Sequence, residues 1–125
     1  MRTIGALAAF WLSAAAAAAQ LPGTWATEPG ELPEMRLVFE PGGTLVFQVG
    51  FEFWNPARWQ YDATAHELRV TIPKLRSEDV ATFQEDVDRG AVKSFDVKKK
   101  VVTYQFSDST RALDFAGFLY SRREQ

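Results

Sequence analysis

Few side chains in this sequence are equipped for covalent chemistry. There is one histidine, His66, and no cysteine, so an activated nucleophile would have to be a hydroxyl paired with His66. His66 lies in the short stretch Ala63–Glu67 between two alternating segments, where a hairpin connection is expected and a pocket is not. Carboxylates are the other candidates. Glu28, Glu31 and Glu34 share one Pro/Gly-rich loop and offer the oxygen donors a hard cation wants, but their spacing matches no calcium-binding loop. Glu85, Asp86 and Asp88 sit at neighbouring positions of a helical pattern and so point in different directions; with Gln84 they read as a solvated face. No catalytic residue, metal site or cofactor is expected, and the chain reads as non-enzymatic.

The chemistry that the sequence favours is apolar contact. Leu45, Phe47, Val49, Phe51 and Phe53 alternate with Thr44, Gln48, Gly50 and Glu52, the two-residue period of a strand with one wet and one dry face. Trp59, Tyr61, Tyr104 and Phe106 occupy similar alternating positions. If these side chains line a common interior, Phe47, Phe51, Phe53, Trp59, Tyr61, Tyr104 and Phe106 would hold a small apolar or aromatic ligand. Tyr61, Tyr104 and Gln105 would supply polar contacts. The competing reading is that aromatics at this density fill the space themselves. Alternation also places Trp54 opposite Phe53, beside the turn Asn55-Pro56-Ala57. An outward tryptophan there would be a hot spot for a protein or glycan partner; otherwise it packs under the helix or under the loop Glu28–Glu34.

Elements to carry these residues follow from the same periodicity. A first strand is expected around Thr24–Thr27. Met35, Leu37 and Phe39 alternate with Arg36 and Glu40, and Pro41-Gly42-Gly43 reverses the chain into the strand Thr44–Phe53. Further strands are expected around Arg58–Asp62 and Leu68–Ile72, the latter ended by Pro73. Val80, Phe83 and Val87 then recur at spacings of three and four. That pattern predicts one short helix over Ser77–Arg89, capped by Ser77, with Glu78 and Asp79 in its first turn and Gly90 at its end. Strands resume at Val92–Val97 and Val102–Phe106, separated by Lys98-Lys99-Lys100. After the reversal Ser107–Thr110, one last strand runs from Arg111 to Arg122 with a bulge at Gly117. The sum is mainly β: an eight-stranded antiparallel meander with an inserted helix. Eight such strands can close into a barrel and remove both edges. The helix would cap one opening, as a movable lid or a fixed plug.

Residues 1–19 read differently. Arg2, the apolar run Thr3–Leu12 and the alanines ending Ala17-Ala18-Ala19 have the order of a secretory signal peptide, cut before Gln20. An apolar core of about ten residues is too short to span a bilayer, which takes ~20. With no cysteine after the small residues, no lipid anchor is expected. The mature chain 20–125 would be one domain of 106 residues, enough for a single core. Loss of Arg2 leaves 13 basic and 16 acidic residues, a net charge of −3, so no basic surplus points to nucleic acid or anionic lipid. An exported, periplasmic or secreted monomer without disulfides is expected.

The ends of the mature chain carry a resemblance. Leu21-Pro22-Gly23-Thr24-Trp25 opens it and Leu113-Asp114-Phe115-Ala116-Gly117-Phe118-Leu119-Tyr120-Ser121-Arg122 closes it; between them stand Phe39-Glu40-Pro41-Gly42-Gly43-Thr44-Leu45 and Trp59-Gln60-Tyr61-Asp62. In these segments the chain resembles the small lipocalin-like barrels of the calycin type. The resemblance implies that Gly23 and Trp25 form the Gly-x-Trp motif of the first strand. It also implies that Trp25 plugs the narrow end while Arg122 or Arg123 stacks on its exposed face, a contact worth roughly 0.5–2 kcal/mol. By the same likeness, a ligand would sit in the mouth or bore. Here the helix falls between the middle strands instead of after the barrel. Two functions follow as expectations: carriage of a small apolar or aromatic ligand in the barrel, or a filled barrel serving as an interaction or inhibitor module in the cell envelope.

Overall fold

A computed structural model of the chain describes residues 21–30 and 32–123; the expected leader, its cleavage point and Glu31 lie outside the described residues. Alternation works first where it is strictest. Leu37 and Phe39 of β2 (Arg36–Phe39) and Leu45 and Phe47 of β3 (Thr44–Gln48) are all buried. They face one another across the ladder, Leu37 opposite Phe47 and Phe39 opposite Leu45, so a single dry face is built by period two. β1 (Gly23–Ala26) pairs with β2, and β4 (Ala57–Asp62) continues the sheet through Leu45 opposite Ala57. β5 (Glu67–Thr71) follows by a turn in which the Asp62 carboxylate accepts the backbone N–H groups of Thr64 and Ala65. His66 is an exposed residue of that turn.

The remaining strands depart from a simple meander. After β5 the chain makes a 3-10 turn, Ser77–Asp79, and the helix α1 (Val80–Asp88) before returning as β6 (Ser94–Asp96). β6 lies outside β7 (Val101–Gln105), and β7 lies beside β5. At the other end, the single strand expected over Arg111–Arg122 is a hairpin, β8 (Ala112–Phe115) and β9 (Phe118–Arg122). Ala116 and Gly117 both have positive φ, 54° and 88°, the geometry of a two-residue hairpin turn. A bulge at Gly117 is therefore corrected to a reversal. β9 pairs with β1 and β8 stands outside it.

The result is one mainly antiparallel sheet of nine strands, in the order β6-β7-β5-β4-β3-β2-β1-β9-β8, curled into a half-barrel. The expected closed barrel of eight strands is replaced by an open sheet whose edges are β6 and β8. Helix α1 lies over one end. Phe83 is fully buried there, with its ring 5.3 Å from Trp54, 5.5 Å from Phe95 and 5.6 Å from Phe115. Among the described residues, no helix is long and apolar enough to cross a membrane.

Candidate functional site

The interior positions named from the sequence divide into two groups. At the lower end, Trp25 is buried against Phe39 and Phe106, at 6.3 and 6.0 Å between ring centres. Tyr61 meets Phe106 edge-on and its hydroxyl donates to the Phe106 carbonyl at 3.2 Å. The half-buried Trp59 packs on Phe39 and its indole donates to the Glu40 carbonyl at 2.9 Å. At the upper end Phe47, Trp54, Phe83 and Phe115 form a second cluster, and Tyr104 lies flat on Phe115 at 5.6 Å. Phe47, Tyr104 and Phe106 thus face inward as expected, and each is in ring-to-ring contact with its neighbours.

The pairing of the chain's ends takes a different form from the one expected. Arg122 stands directly across the ladder from Trp25, and its Nη2 lies 3.8 Å from where a Cβ on Gly23 would be. Neither guanidinium stacks on the fully buried Trp25: among the described residues the cation–π contact is made by Arg76 on Phe53. The tie is instead the ladder itself, with the Arg123 N–H donating to the Thr24 carbonyl at 2.8 Å and the Arg123 guanidinium reaching the Thr27 carbonyl and Glu34. Glu34 also pairs with Arg36, so arginines occupy this carboxylate of the acidic loop.

The largest correction concerns Thr44–Phe53. The strand stops at Gln48, because Val49 and Phe51 adopt left-handed backbone conformations, φ 57° and 61°. The side-chain amide of Asn55 then takes over the ladder, donating to the Phe47 carbonyl and accepting from its N–H. A 3-10 turn over Glu52–Trp54 rotates the segment. Phe53 comes out 52% exposed and Trp54 1% exposed, which reverses the faces that alternation assigns to them. Trp54 does pack under the helix. Its indole N–H donates to Asp79 Oδ2 at 2.9 Å, and Asp79 also accepts from the Arg76 N–H and binds its guanidinium through both oxygens. Those Arg76 bonds, with the indole bond behind them, hold the Asp79 carboxyl down to about 2. The same guanidinium lies 4.3 Å over the ring of Phe53, a cation–π contact.

Phe53 is one part of a continuous apolar face. Phe51 touches Phe53 and Phe118 at 6.1 and 6.0 Å. Phe118 borders a shallow groove of about 340 Å³ with Leu32, Pro33 and Met35. Met35 closes the patch by lying over Gly50, where a Cβ would come within 2.6 Å of its sulfur. Leu32 and Val49 are exposed. Val and Phe in left-handed conformations cost of order 1–3 kcal/mol each, and such strain gathers at binding sites.

The sequence reading missed Leu32, Met35 and Phe118 as parts of one surface, because Phe118 lies far along the chain from the loop that carries Leu32 and Met35 and joins it only through the β1–β9 pairing. It also placed Asp86 on the solvated side of the helix. Asp86 is 2% exposed; its Oδ2 accepts the Ala116 N–H at 2.9 Å and its Oδ1 pairs with Arg89, which in turn grips Asp114 of β8. The spacing Arg76-x-x-Asp79 and Asp86-x-x-Arg89 was the available signal. The chain matches no known family, curated protein or solved structure.

Proposed function

We propose that this is an exported, non-catalytic interaction module: a filled, lipocalin-like half-barrel that presents the face around Phe51, Phe53 and Phe118 to a protein partner in the cell envelope. The observation that carries the reading is the loop Val49–Trp54. It is strained at two residues, anchored from below by the buried Trp54, and holds Phe53 half-exposed under the Arg76 guanidinium. An aromatic presented rigidly on a buried anchor loses little freedom on binding, which is what a hot spot requires. A filled interior is favoured over a carrier's bore because Phe47, Tyr104 and Phe106 already spend their surfaces on one another's neighbours. In this reading the partner contact moves from Trp54 to Phe53.

The test is site-specific photocrosslinking in the native host. A photoreactive residue at Phe53 is expected to give a discrete adduct with one envelope protein, and the same residue at exposed Asp108, at the other end of the barrel, is expected to give none. Phe53→Ser should lose the partner and stay folded, at a cost of roughly 1–2 kcal/mol for the contacts it gives up with Arg76 and its ring neighbours. Equal labelling from both sites, or no adduct at Phe53, would sink the proposal.

A further inference from the structure

The lysines of this chain are segregated. There are five, and four of them, Lys74, Lys98, Lys99 and Lys100, gather where the turn after β5 meets the turn between β6 and β7. The Ile72 N–H donates to the Lys100 carbonyl and Lys100 Nζ donates to the Pro73 carbonyl, both at 3.0 Å. The β6–β7 turn is also tied within itself: the Asp96 carboxylate accepts the Lys99 N–H at 3.0 Å, and Lys100 takes a left-handed conformation, φ 60°. Lys74, Lys98 and Lys99 are exposed. Among the described residues none of these four ammonium groups pairs with a carboxylate, whereas Lys93 and five arginines do.

This positive end adjoins the Phe53 face. Lys74 stands two residues from Arg76, whose guanidinium lies 4.3 Å over the Phe53 ring. Arg76 is bound to Asp79 and lies 3.8 Å from Glu78, so its charge is answered inside the chain. The charges of the four lysines are not, because Asp96 meets their turn through a backbone N–H. The other border of the face is acidic. Exposed Glu28 lines the groove beside Leu32 and Phe118, and exposed Glu52 accepts the Gly50 N–H next to Met35. An apolar strip thus runs from a negative border to a positive one, in a mature chain whose net charge is −3.

We infer that the partner of the Phe53 face is an acidic protein, which sets an apolar pocket for Phe53 beside a cluster of Asp and Glu side chains that meets Lys74, Lys98 and Lys99. The inference rests on the partner reading given above and adds the chemistry of its rim. Exposed rim charges steer and orient association more than they tighten it, so the lysines decide which way round the partner sits. An anionic membrane is the poorer match, because the same face would press Glu28 and Glu52 against lipid phosphates.

The experiment is photocrosslinking from Phe53 in the native host, in the otherwise unchanged chain and in two variants with the same change of charge. Lys99→Glu lies on the positive border, and Arg111→Glu lies beside Asp108 at the other end of the barrel; both positions are exposed. Lys99→Glu is expected to lower the adduct yield roughly three- to tenfold, and Arg111→Glu to leave it unchanged. Carbodiimide treatment of the photo-adduct, which joins an amine to a carboxylate in contact with it, should then link Lys98 or Lys99 to an Asp or Glu of the partner. If Phe53 gives no adduct even with both charges in place, the partner reading falls and this inference falls with it. If the adduct forms but the two variants give equal yields, or carbodiimide links these lysines only to carboxylates of their own chain, the inference alone is overturned. Cosedimentation of the mature protein with phosphatidylglycerol vesicles, abolished by Lys99→Glu, would assign the lysines to lipid and overturn it equally.

Discussion

Replacing Asp79 with asparagine removes one charge from the point where the helix, the Trp54 loop and Arg76 meet. The carboxyl lies at about 2 against an ordinary 3.8, and about 1.4 kcal/mol accompanies each unit, giving ~2.4 kcal/mol at face value. The Arg76 side chain is 46% exposed, so solvent screens part of that interaction and roughly 1–2 kcal/mol is expected. For a domain of this size that is roughly a 5–15 °C fall in Tm. The sign follows from the direction of the shift. A carboxyl whose folded pKa is depressed stabilises the fold fully above its unfolded value, and that stability is lost as the pH falls from about 4 towards 2. Urea unfolding of parent and Asp79→Asn should therefore differ near neutral pH and converge in acid. The Trp54 indole N–H resonance should titrate over the same acid range in the parent. A variant as stable as the parent near neutrality, or a gap that does not narrow on acidification, would refute the reasoning.

Other consequences are simpler to state. All three tyrosines are raised from 10.0: Tyr61 and Tyr104 mainly by burial, and Tyr120 by burial to about 12. Their stabilisation is complete below about pH 10 and fades as the pH rises through the folded values. Phenolate absorbance should thus stay low at pH ~10.5 and rise together with alkaline unfolding; full ionisation before unfolding would contradict the burial. Val49→Asn places a residue that tolerates left-handed backbone at an exposed, strained site. It should stabilise by roughly 0.5–1.5 kcal/mol in urea titrations, and a loss of stability would show that the valine is not strained. Trp54→Ala should cost roughly 3–5 kcal/mol, against roughly 1–2 kcal/mol for Phe53→Ser, which gives up its contact with Arg76; equal losses from the two variants in urea titrations would contradict the burial of Trp54. If export proceeds as the leader implies, the mass of the envelope-fraction protein should correspond to a chain starting at Gln20, and an intact Met1 there would refute it.

The sequence was most readable where one physical demand acts alone. Between Met35 and Phe47, every dry-face residue obeys period two because each strand has one neighbour on either side and one core to face. The same alternation continues through Val49, Phe51 and Phe53 although the strand does not. What ends it is an amide, Asn55, that satisfies the Phe47 backbone in place of a strand, and periodicity carries no trace of such a substitute. Ala116-Gly117 hid for a related reason: alanine is a poor guide to a left-handed turn residue, so the hairpin looked like one long strand. Asp86 was misjudged because charge usually marks the wet face of a helix, and the burial of Asp79, expected only as an acid of the first turn, was not foreseen. Here each carboxylate has an arginine three residues away to accompany it inward.

Those two acids explain why the sheet can remain open. An uncovered edge invites pairing with another chain, and β8 and β6 are such edges. Helix α1 spans the mouth between them and is fastened at both ends by buried carboxylates. Asp79 binds its start to the Trp54 loop, and Asp86, with Arg89, binds its end to the Ala116 turn and to Asp114 of β8. Breaking a buried pair from one side leaves a charge without its partner, which costs more than the pair contributes. The strap therefore resists opening from either end. Two surfaces hang on opposite ends of it: the Phe53 face depends on the Asp79 fastening, and the β8 edge on the Arg89 bridge. Loosening one end should damage one surface first and leave the other in place. Arg89→Ala should accordingly speed amide exchange in β8 at conditions where labelling from Phe53 persists, and Asp79→Asn should do the converse.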